Sequence, residues 1–318
     1  MSNLLLVATQ VGVLFALMAV GAACRKAKLL DDASVKGVVN VLILVVTPCL
    51  VIDSFQRPFD PAKMKSLALA FLIAFVAHLI LIAAASAVYS RRTGIGGDER
   101  TRCVLKLATV FSNAGFMGIP LEQAMFGDDG VFFGIVYVVV FNLFMWSWGY
   151  CAMRGMDMRR LGRAQMRTAL VNPGTVGIVV GLPLFMGSVS LPEAVGAPVK
   201  LLAGLNTPLA MLVIGYHLAG ARLGTVLRAR GAYVATAIRL VVYPLAMLAA
   251  LWPLRGTLDR TMTLAFVTAA SAPVAAMVSM FAAQYGRNVD MSVGLVSGTT
   301  LLSVFTMPVV IALAMAIL

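Results

Sequence analysis

Runs of apolar residues about as long as a membrane is thick recur along the whole chain. A helix that crosses the hydrocarbon core needs about 20 mostly apolar residues. Of the 318 residues, 61% are hydrophobic and 12% are charged, against about 25% charged in an average soluble domain. The ten predicted spans cover roughly residues 4–23, 35–55, 67–90, 104–126, 130–153, 171–188, 198–220, 232–253, 262–285 and 291–317. The sequence therefore predicts an all-α polytopic membrane protein.

The net charge of +12 is distributed as a topology signal rather than as a nucleic-acid surface. Counted loop by loop, alternate loops carry 18 Lys and Arg residues on one side and 6 on the other. Because positive charge is retained in the cytoplasm, we expect a bacterial cytoplasmic (inner) membrane protein with both termini outside. Membrane lipids are expected partners, and nucleic acid is not. Arg239, inside span eight, is expected to snorkel to the cytoplasmic interface.

An internal repeat divides the chain into halves. The segment "TPCLVI" begins at Thr47 and "TPLAMLVI" begins at Thr207, an offset of 160 residues. Ser112 and Ser271 are offset by 159, and each is followed 15 positions later by a glycine. Since five spans are an odd number, the second half must enter the membrane from the opposite face. The sequence predicts two inverted five-helix repeats, residues 1–158 and 159–318, an architecture typical of secondary transporters.

Spans four and nine occupy corresponding positions, and both contain helix-breaking residues. Gly118 and Pro120 weaken span four, and Pro273 weakens span nine. If the spans cross at these breaks, the N-termini of half-helices face each other and form a site suited to an anion. Asn113 adds a side-chain amide that can donate to such a ligand. The alternative is that these residues serve only helix packing.

The segment "SNAGFMGIPL" and the "MFG" that follows it resemble the fourth-span motif of the auxin efflux carrier family. That family includes the plant PIN proteins and bacterial malate and malonate permeases. The C-terminal "SAPVAAMVSMFAAQYG" and "GTTLLSVFTMPVVIAL" resemble its last two spans. The resemblance implies a fold similar to sodium/bile-acid symporters, with a scaffold of helices 1, 2, 6 and 7. Helices 3–5 and 8–10 would form a transport domain that moves as an elevator, with helices 4 and 9 crossing inside it.

The resemblance also implies which residues face the substrate. From span four it implies Asn113 with the backbone of Ala114 and Gly115. From span nine it implies Ser271, Ala272, Pro273 and Val274. Asn142 and Tyr137 of span five are added on position alone.

Two ionisable residues inside the predicted spans are candidates for proton coupling. His78 lies in the middle of span three, where it can titrate near neutral pH or serve as a neutral hydrogen-bonding group between helices. Glu122 follows Pro120 by two residues. It can bind a cation or proton, or face the outer vestibule, and of these we favour the vestibule.

The predicted function is secondary transport of a small organic anion, a carboxylate such as malonate or malate. An auxin-like aromatic carboxylate exporter or uniporter is an alternative, as is a cation-coupled, channel-like carrier. An enzyme is not expected, because no intramembrane catalytic set is present. The four cysteines are scattered, so neither a metal site nor a cofactor is predicted. Coupling to protons or sodium stays open, and we expect a homodimer through the scaffold.

Overall fold

The computed structural model describes residues 3–160, 162, 163, 167, 171, 173–220, 224, 226 and 229–318. Its helices are α1 Asn3–Lys26, α2 Asp32–Val41, α3 Thr47–Ser54, α4 Pro61–Val88, α5 Glu99–Val110, α6 Ile119–Phe144, α7 Tyr150–Arg154, α8 Pro173–Met186, α9 Glu193–Gly204, α10 Asn206–Ala219, α11 Arg230–Ala237, α12 Tyr243–Leu251, α13 Arg260–Ser271, α14 Ala276–Gln284 and α15 Val289–Ile317. Four π-helical turns join or start helices, at Leu42–Val46, Ala114–Gly118, Met145–Gly149 and Ile238–Val242. Arg222 and Arg228, counted among the basic loop residues, lie outside the described residues.

Seven helical stretches of the described chain are long and apolar enough to cross a membrane. They are Val7–Lys26, Asp32–Ser54, Pro61–Val88, Ala114–Arg154, Glu193–Ala219, Arg230–Leu254 and Val289–Ile317. The prediction of an all-helical, multi-pass membrane protein is therefore confirmed. The count of ten spans stays a prediction.

Helix breaks and one short helix explain why fewer stretches than the ten predicted reach the length of a span. Ala114–Arg154 counts as one stretch of 41 residues. Gly127 inside it has φ 62° and ψ −151°, a backbone conformation that does not occur within a helix, so the stretch is kinked there. The predicted fourth and ninth spans are each divided by a short non-helical segment. Their pieces α5, α13 and α14 contain 12, 12 and 9 residues and fall below the length of a span. Helix α8, at 14 residues, is also short.

Five helices begin at an acidic or amide side chain that lies just before a predicted apolar run. Such a cap accepts a hydrogen bond from a backbone N–H that has no partner within the helix. The caps are Asp31, Asp60, Asp98, Asp259 and Asn288, for α2, α4, α5, α13 and α15. Hydrogen bonds from Thr101 lower the pKa of the Asp98 carboxyl. Each cap fixes where its helix begins.

Helices α1 and α10 pack with their backbones in contact. A Cβ atom added at Gly215 would overlap the carbonyl oxygen of Met18, and one at Gly21 would overlap that of Leu212. Only glycine permits so close an approach at these two positions. Small residues at such contacts are typical of helix association in membranes, where close packing replaces the hydrophobic effect.

The buried apolar side chains form two clusters that meet at the broken spans. The smaller cluster includes residues of α1, α2, α10 and part of α15, and the larger one includes residues of α3 to α9 and α11 to α15. Leu121 and Ala272 belong to the smaller cluster, while Ala114 and Val274 belong to the larger. The breaks therefore contribute residues to both clusters.

Candidate functional site

The two broken spans cross at their breaks through backbone hydrogen bonds. The N–H of Asn113 donates to the carbonyl oxygen of Pro273 at 2.7 Å, and the N–H of Ala275 donates to that of Phe111 at 2.9 Å. The two bonds form an antiparallel bridge between otherwise helical segments. The backbone groups that each break would leave unsatisfied in lipid are thus partly satisfied by the other break.

The first break lies upstream of the proline that was predicted to cause it. Helix α5 ends at Val110, residues 111–113 are non-helical, and a π-helical turn ending at Gly118 leads into α6. Pro120 directly follows this π-helical turn, within the helical stretch that begins at Ala114, so the proline lies seven residues after Asn113 and not at the break. Pro273, by contrast, lies within the second break, between α13 and α14.

Both helices that start at the crossing lack a side-chain cap. The π-helical turn begins after Asn113 and α14 begins after Ala275, and neither residue donates or accepts a side-chain capping bond. The first N–H groups of a helix have no intrahelical partner, and the helix dipole places partial positive charge there. The crossing therefore presents two uncapped positive helix ends, unlike the capped helix starts described above.

Two cavities adjoin these helix ends. The larger has a volume of about 290 Å³ and the smaller about 230 Å³. Both are lined by Asn113, Phe116, Ala276 and Met280. Residues that line only the larger cavity include Thr47, Gly115, Phe141, Asn142, Trp146 and Met277. The smaller cavity adds Arg25, His217, Ser279, Ser297 and Thr300. Asn113 is thus the polar side chain that the two cavities share.

The span-nine residues predicted to face the substrate form the crossing itself. The hydroxyl of Ser271 donates to the carbonyl oxygen of Thr268 at 2.8 Å, and the N–H of Val274 donates to the Thr299 hydroxyl at 3.0 Å. Residues 271–274 line neither of the two cavities. Span nine lines them instead with Ala275, Ala276, Met277 and Met280. Substrate contact by residues 271–274 stays a prediction, and the cavity lining begins one residue later.

The two span-five candidates lie in different surroundings. Asn142 lines the larger cavity. Tyr137 is fully buried, with its hydroxyl 3.2 Å from that of Tyr243 and its ring centroid 5.0 Å from that of His78. Asn142 can therefore reach a ligand in the larger cavity, whereas Tyr137 lies in the packed interior.

The expectation that Arg239 snorkels to the interface is wrong. Its side chain is 0% exposed and lies at the crossing. The guanidinium donates to the carbonyl oxygens of Thr109, Val110 and Ala270, and it lies 4.6 Å from the Tyr243 ring centroid. These carbonyls belong to the last turns of α5 and α13. One cation therefore satisfies the C-terminal ends of both half-helices, where the helix dipole is negative.

A signal for the role of Arg239 was present in the sequence. Arg239 follows His78 by 161 residues, within two residues of the repeat offset. That correspondence puts it in the middle of span eight, as His78 lies in the middle of span three. The contacts of Arg239 with the broken spans cannot be predicted from the sequence. The breaks themselves contain no Lys or Arg, and proximity between distant spans depends on the fold.

His78 is buried among aromatic rings. Its Nδ1 lies 2.8 Å from the carbonyl oxygen of Ala74, one turn earlier in α4, and its Nε2 has no partner among the described residues. The ring stacks on Phe144 at 5.7 Å between centroids. The hydrogen bond that was expected to join two helices is therefore made within one helix.

The favoured vestibule position of Glu122 is wrong. Its side chain is 0% exposed, and neither carboxyl oxygen has a hydrogen-bond partner in the described part of the chain. The part of α6 that follows Gly127 packs closely against the part that contains Glu122, and this contact encloses the carboxyl. This burial leaves the cation- or proton-binding alternative.

Metal-binding geometry does not occur in the part of the chain that the structure describes. There, no three His, Cys, Asp or Glu side chains come together. The four cysteines are free thiols. What the crossing offers a ligand is helix ends, one amide and the adjoining cavities.

A multi-pass helical bundle with two broken spans that cross beside cavities is typical of secondary membrane transporters. The chain belongs to the membrane transport protein family, whose model matches residues 6–311. This confirms the resemblance to the auxin efflux carrier family. The chain is also similar to an uncharacterized transporter of Methanothermobacter thermautotrophicus, with 26% identity over 283 residues, 87% of this chain and 88% of the relative. Family and relative both indicate a transporter rather than an enzyme.

Proposed function

We propose that the protein is a secondary transporter of a small organic anion, with a carboxylate such as malonate or malate as substrate. The observation that carries the proposal is the pair of uncapped helix ends that meet at Asn113 beside both cavities. A carboxylate bound there accepts N–H hydrogen bonds from both helix ends and from the Asn113 amide.

The placement of Arg239 supports an anion over a cation. Crossed half-helices bring two negative C-terminal ends close to two positive N-terminal ends, and the two effects oppose each other. Arg239 binds carbonyl oxygens at both C-terminal ends. With the negative ends compensated, the positive ends dominate the field at Asn113.

The proposed mechanism is an elevator movement of helices 3–5 and 8–10 against a scaffold of helices 1, 2, 6 and 7, with ten spans in two inverted repeats. The antiparallel bridge supports inversion, because spans entering from opposite faces run in opposite directions where they cross. The Thr47–Pro48 and Thr207–Pro208 pairs support the repeat, since each lies in the first turn of a helix that follows an interruption. The glycine contact of α1 and α10 supports a rigid scaffold. We place the protein in a bacterial inner membrane, with both termini outside, as a homodimer through the scaffold.

The lining of the larger cavity favours a second candidate substrate. Phe116, Phe141 and Trp146 contribute rings to its wall, which is otherwise mainly aliphatic. An aromatic carboxylate of the auxin type would place its ring against this wall and its carboxylate at the helix ends. Malonate and malate offer no apolar group to it.

The test is carboxylate binding by purified protein, measured by thermal shift and by current on solid-supported membranes. We expect malonate, malate or indole-3-acetate to stabilise the wild type. Asn113→Ala should bind the active compound about tenfold more weakly, the worth of one hydrogen bond to a charged group. Asn40→Ala, at an exposed position on α2, is the matched control and should bind normally. Stabilisation by inorganic cations alone, with no carboxylate effect, would refute the proposal.

A further inference from the structure

The Glu122 carboxyl occupies a space made by glycines. A Cβ atom at Gly134 would overlap Oε2, and one at Gly118 would lie 3.7 Å from Oε1. Gly130, one turn before Gly134, packs against the Glu122 backbone so closely that a Cβ atom there would lie 2.6 Å from its carbonyl oxygen. The two arms of α6 on either side of Gly127 thus approach each other closely around one carboxyl. Any larger residue at position 134 would displace it.

Nothing in the described structure compensates a negative charge on this carboxyl. Both oxygens are buried without a hydrogen-bond partner. An ionised carboxylate in such surroundings costs several kcal/mol, far more than a neutral acid. In this conformation the carboxyl therefore holds its proton.

The ionisable groups on the helices packed against α6 are engaged elsewhere. On α13, Arg260 donates to a carbonyl oxygen of α15. On α4, His78 packs among aromatic rings. On α1 and α10, Arg25 and His217 line the smaller cavity.

Charged residues at the ends of these helices also have other partners. Asp53 of α3 is half-buried and interacts with Lys200. On α6 itself, Asp129 forms ion pairs with Arg57 and Lys63. No ion pair among the described residues includes Glu122. Among these residues, the carboxyl is therefore neutralised by a proton and not by a basic side chain.

The carboxyl lies close to the proposed anion site. Ile119, one turn before Glu122, and Ile135, next to Gly134, both line the larger cavity. These two residues therefore connect the surroundings of the carboxyl with the cavity beside Asn113. Water that enters the cavity can therefore reach Glu122 after a small separation of the two arms of α6.

We propose that Glu122 is the proton-carrying site of the transporter and exchanges its proton with water in the larger cavity during the transport cycle. The inference rests on the proposed function, since it couples the proton to movement of the carboxylate. The carboxyl takes up its proton when the arms of α6 close around it and releases it when the cavity hydrates the site. A sodium ion is a poorer fit, because it needs several oxygen ligands and neither carboxyl oxygen has a polar partner among the described residues.

The test uses Glu122→Gln, which keeps the shape of the protonated acid but cannot exchange a proton. In proteoliposomes loaded with a pH-sensitive dye, a gradient of malonate or indole-3-acetate should drive proton flux in the wild type. In the variant this flux should fall to that of protein-free liposomes, while carboxylate binding measured by thermal shift stays at the wild-type level. Glu193→Gln, exposed on α9, is the control and should transport normally. Wild-type proton flux in Glu122→Gln would overturn the proposal.

A second measurement is independent of the substrate. Infrared difference spectra at neutral pH should show the carbonyl stretch of a protonated carboxylic acid that is missing in Glu122→Gln. Absence of that band in the wild type overturns the proton assignment, even where carboxylates bind. If no carboxylate binds the wild type but the band is present, the proposed function fails and the proton site stands.

Discussion

Replacing Arg239 with methionine tests whether one buried cation holds the crossing together. Methionine keeps much of the length and the apolar stem but removes every donor. Three carbonyl oxygens, of Thr109, Val110 and Ala270, lose their guanidinium partner in a buried site. Each buried unsatisfied acceptor costs about 1–3 kcal/mol.

The expected loss is near the lower end of that sum. Removing the guanidinium also removes its own desolvation cost, which offsets part of the penalty. We therefore expect Arg239→Met to destabilise the protein by roughly 3 kcal/mol. For a chain of this size that corresponds to a fall in Tm of about 4–5 °C. Arg239→Lys should lie between, since one ammonium cannot span the ends of both helices as the planar guanidinium does.

The assay is thermal unfolding in detergent, followed by carboxylate binding below the Tm of each variant. Arg230→Met changes an exposed arginine at the start of the same span, and its Tm should stay close to the wild type. Arg239→Met should also bind carboxylate more weakly, because the negative helix ends are no longer compensated. A Tm within about 1 °C of the wild type, together with unchanged affinity, would refute the role assigned to Arg239.

Two further predictions concern helix packing and the buried histidine. Gly215→Ala should cost about 1–3 kcal/mol of stability through overlap with the Met18 backbone, measured as a lower Tm. Gly12→Ala on α1 is the control, because no atom lies near its added methyl group, and its Tm should be unchanged or raised. His78→Gln should retain substrate-driven proton flux in proteoliposomes, because an imidazolium among Phe111, Tyr137 and Phe144 would leave its Nε2–H without a partner. Loss of the flux would instead assign proton coupling to His78.

The pairing of the two breaks was predictable because it depends on local composition and on the spacing of the internal repeat. Glycine and proline in the middle of an apolar run indicate where a helix can be interrupted, and an interruption in lipid needs protein or water to satisfy the freed backbone groups. The offset of 159 residues between Ser112 and Ser271 is close to half the chain length, and it indicates that the two interruptions correspond. Asn113 followed from its position at the first break, and it lines both cavities.

What could not be predicted depends on contacts between distant spans. The environment of Arg239 is set by α5 and α13, which are far from it in the chain. Glu122 looked like a residue near the end of a span, and only the close approach permitted by Gly130 and Gly134 buries it. In span nine the cavity lining begins after Val274 and not at the predicted residues 271–274. Those residues lie at the break, where the backbone pairs with span four.

The charges at the crossing limit which form of the substrate the proposed cycle can carry. Moving a net charge through the membrane interior is costly. Arg25, which lines the smaller cavity, belongs to the proposed scaffold and does not move with the site. With Arg239 positive and Glu122 protonated, the moving part of the empty site carries one positive charge, and a monocarboxylate brings it close to neutral. A fully ionised dicarboxylate would instead leave an excess negative charge, unless it enters with one carboxyl protonated. The same protein would thus favour monoanions, either an aromatic monocarboxylate or the singly ionised form of malonate or malate, because the buried charges it already holds balance only one more.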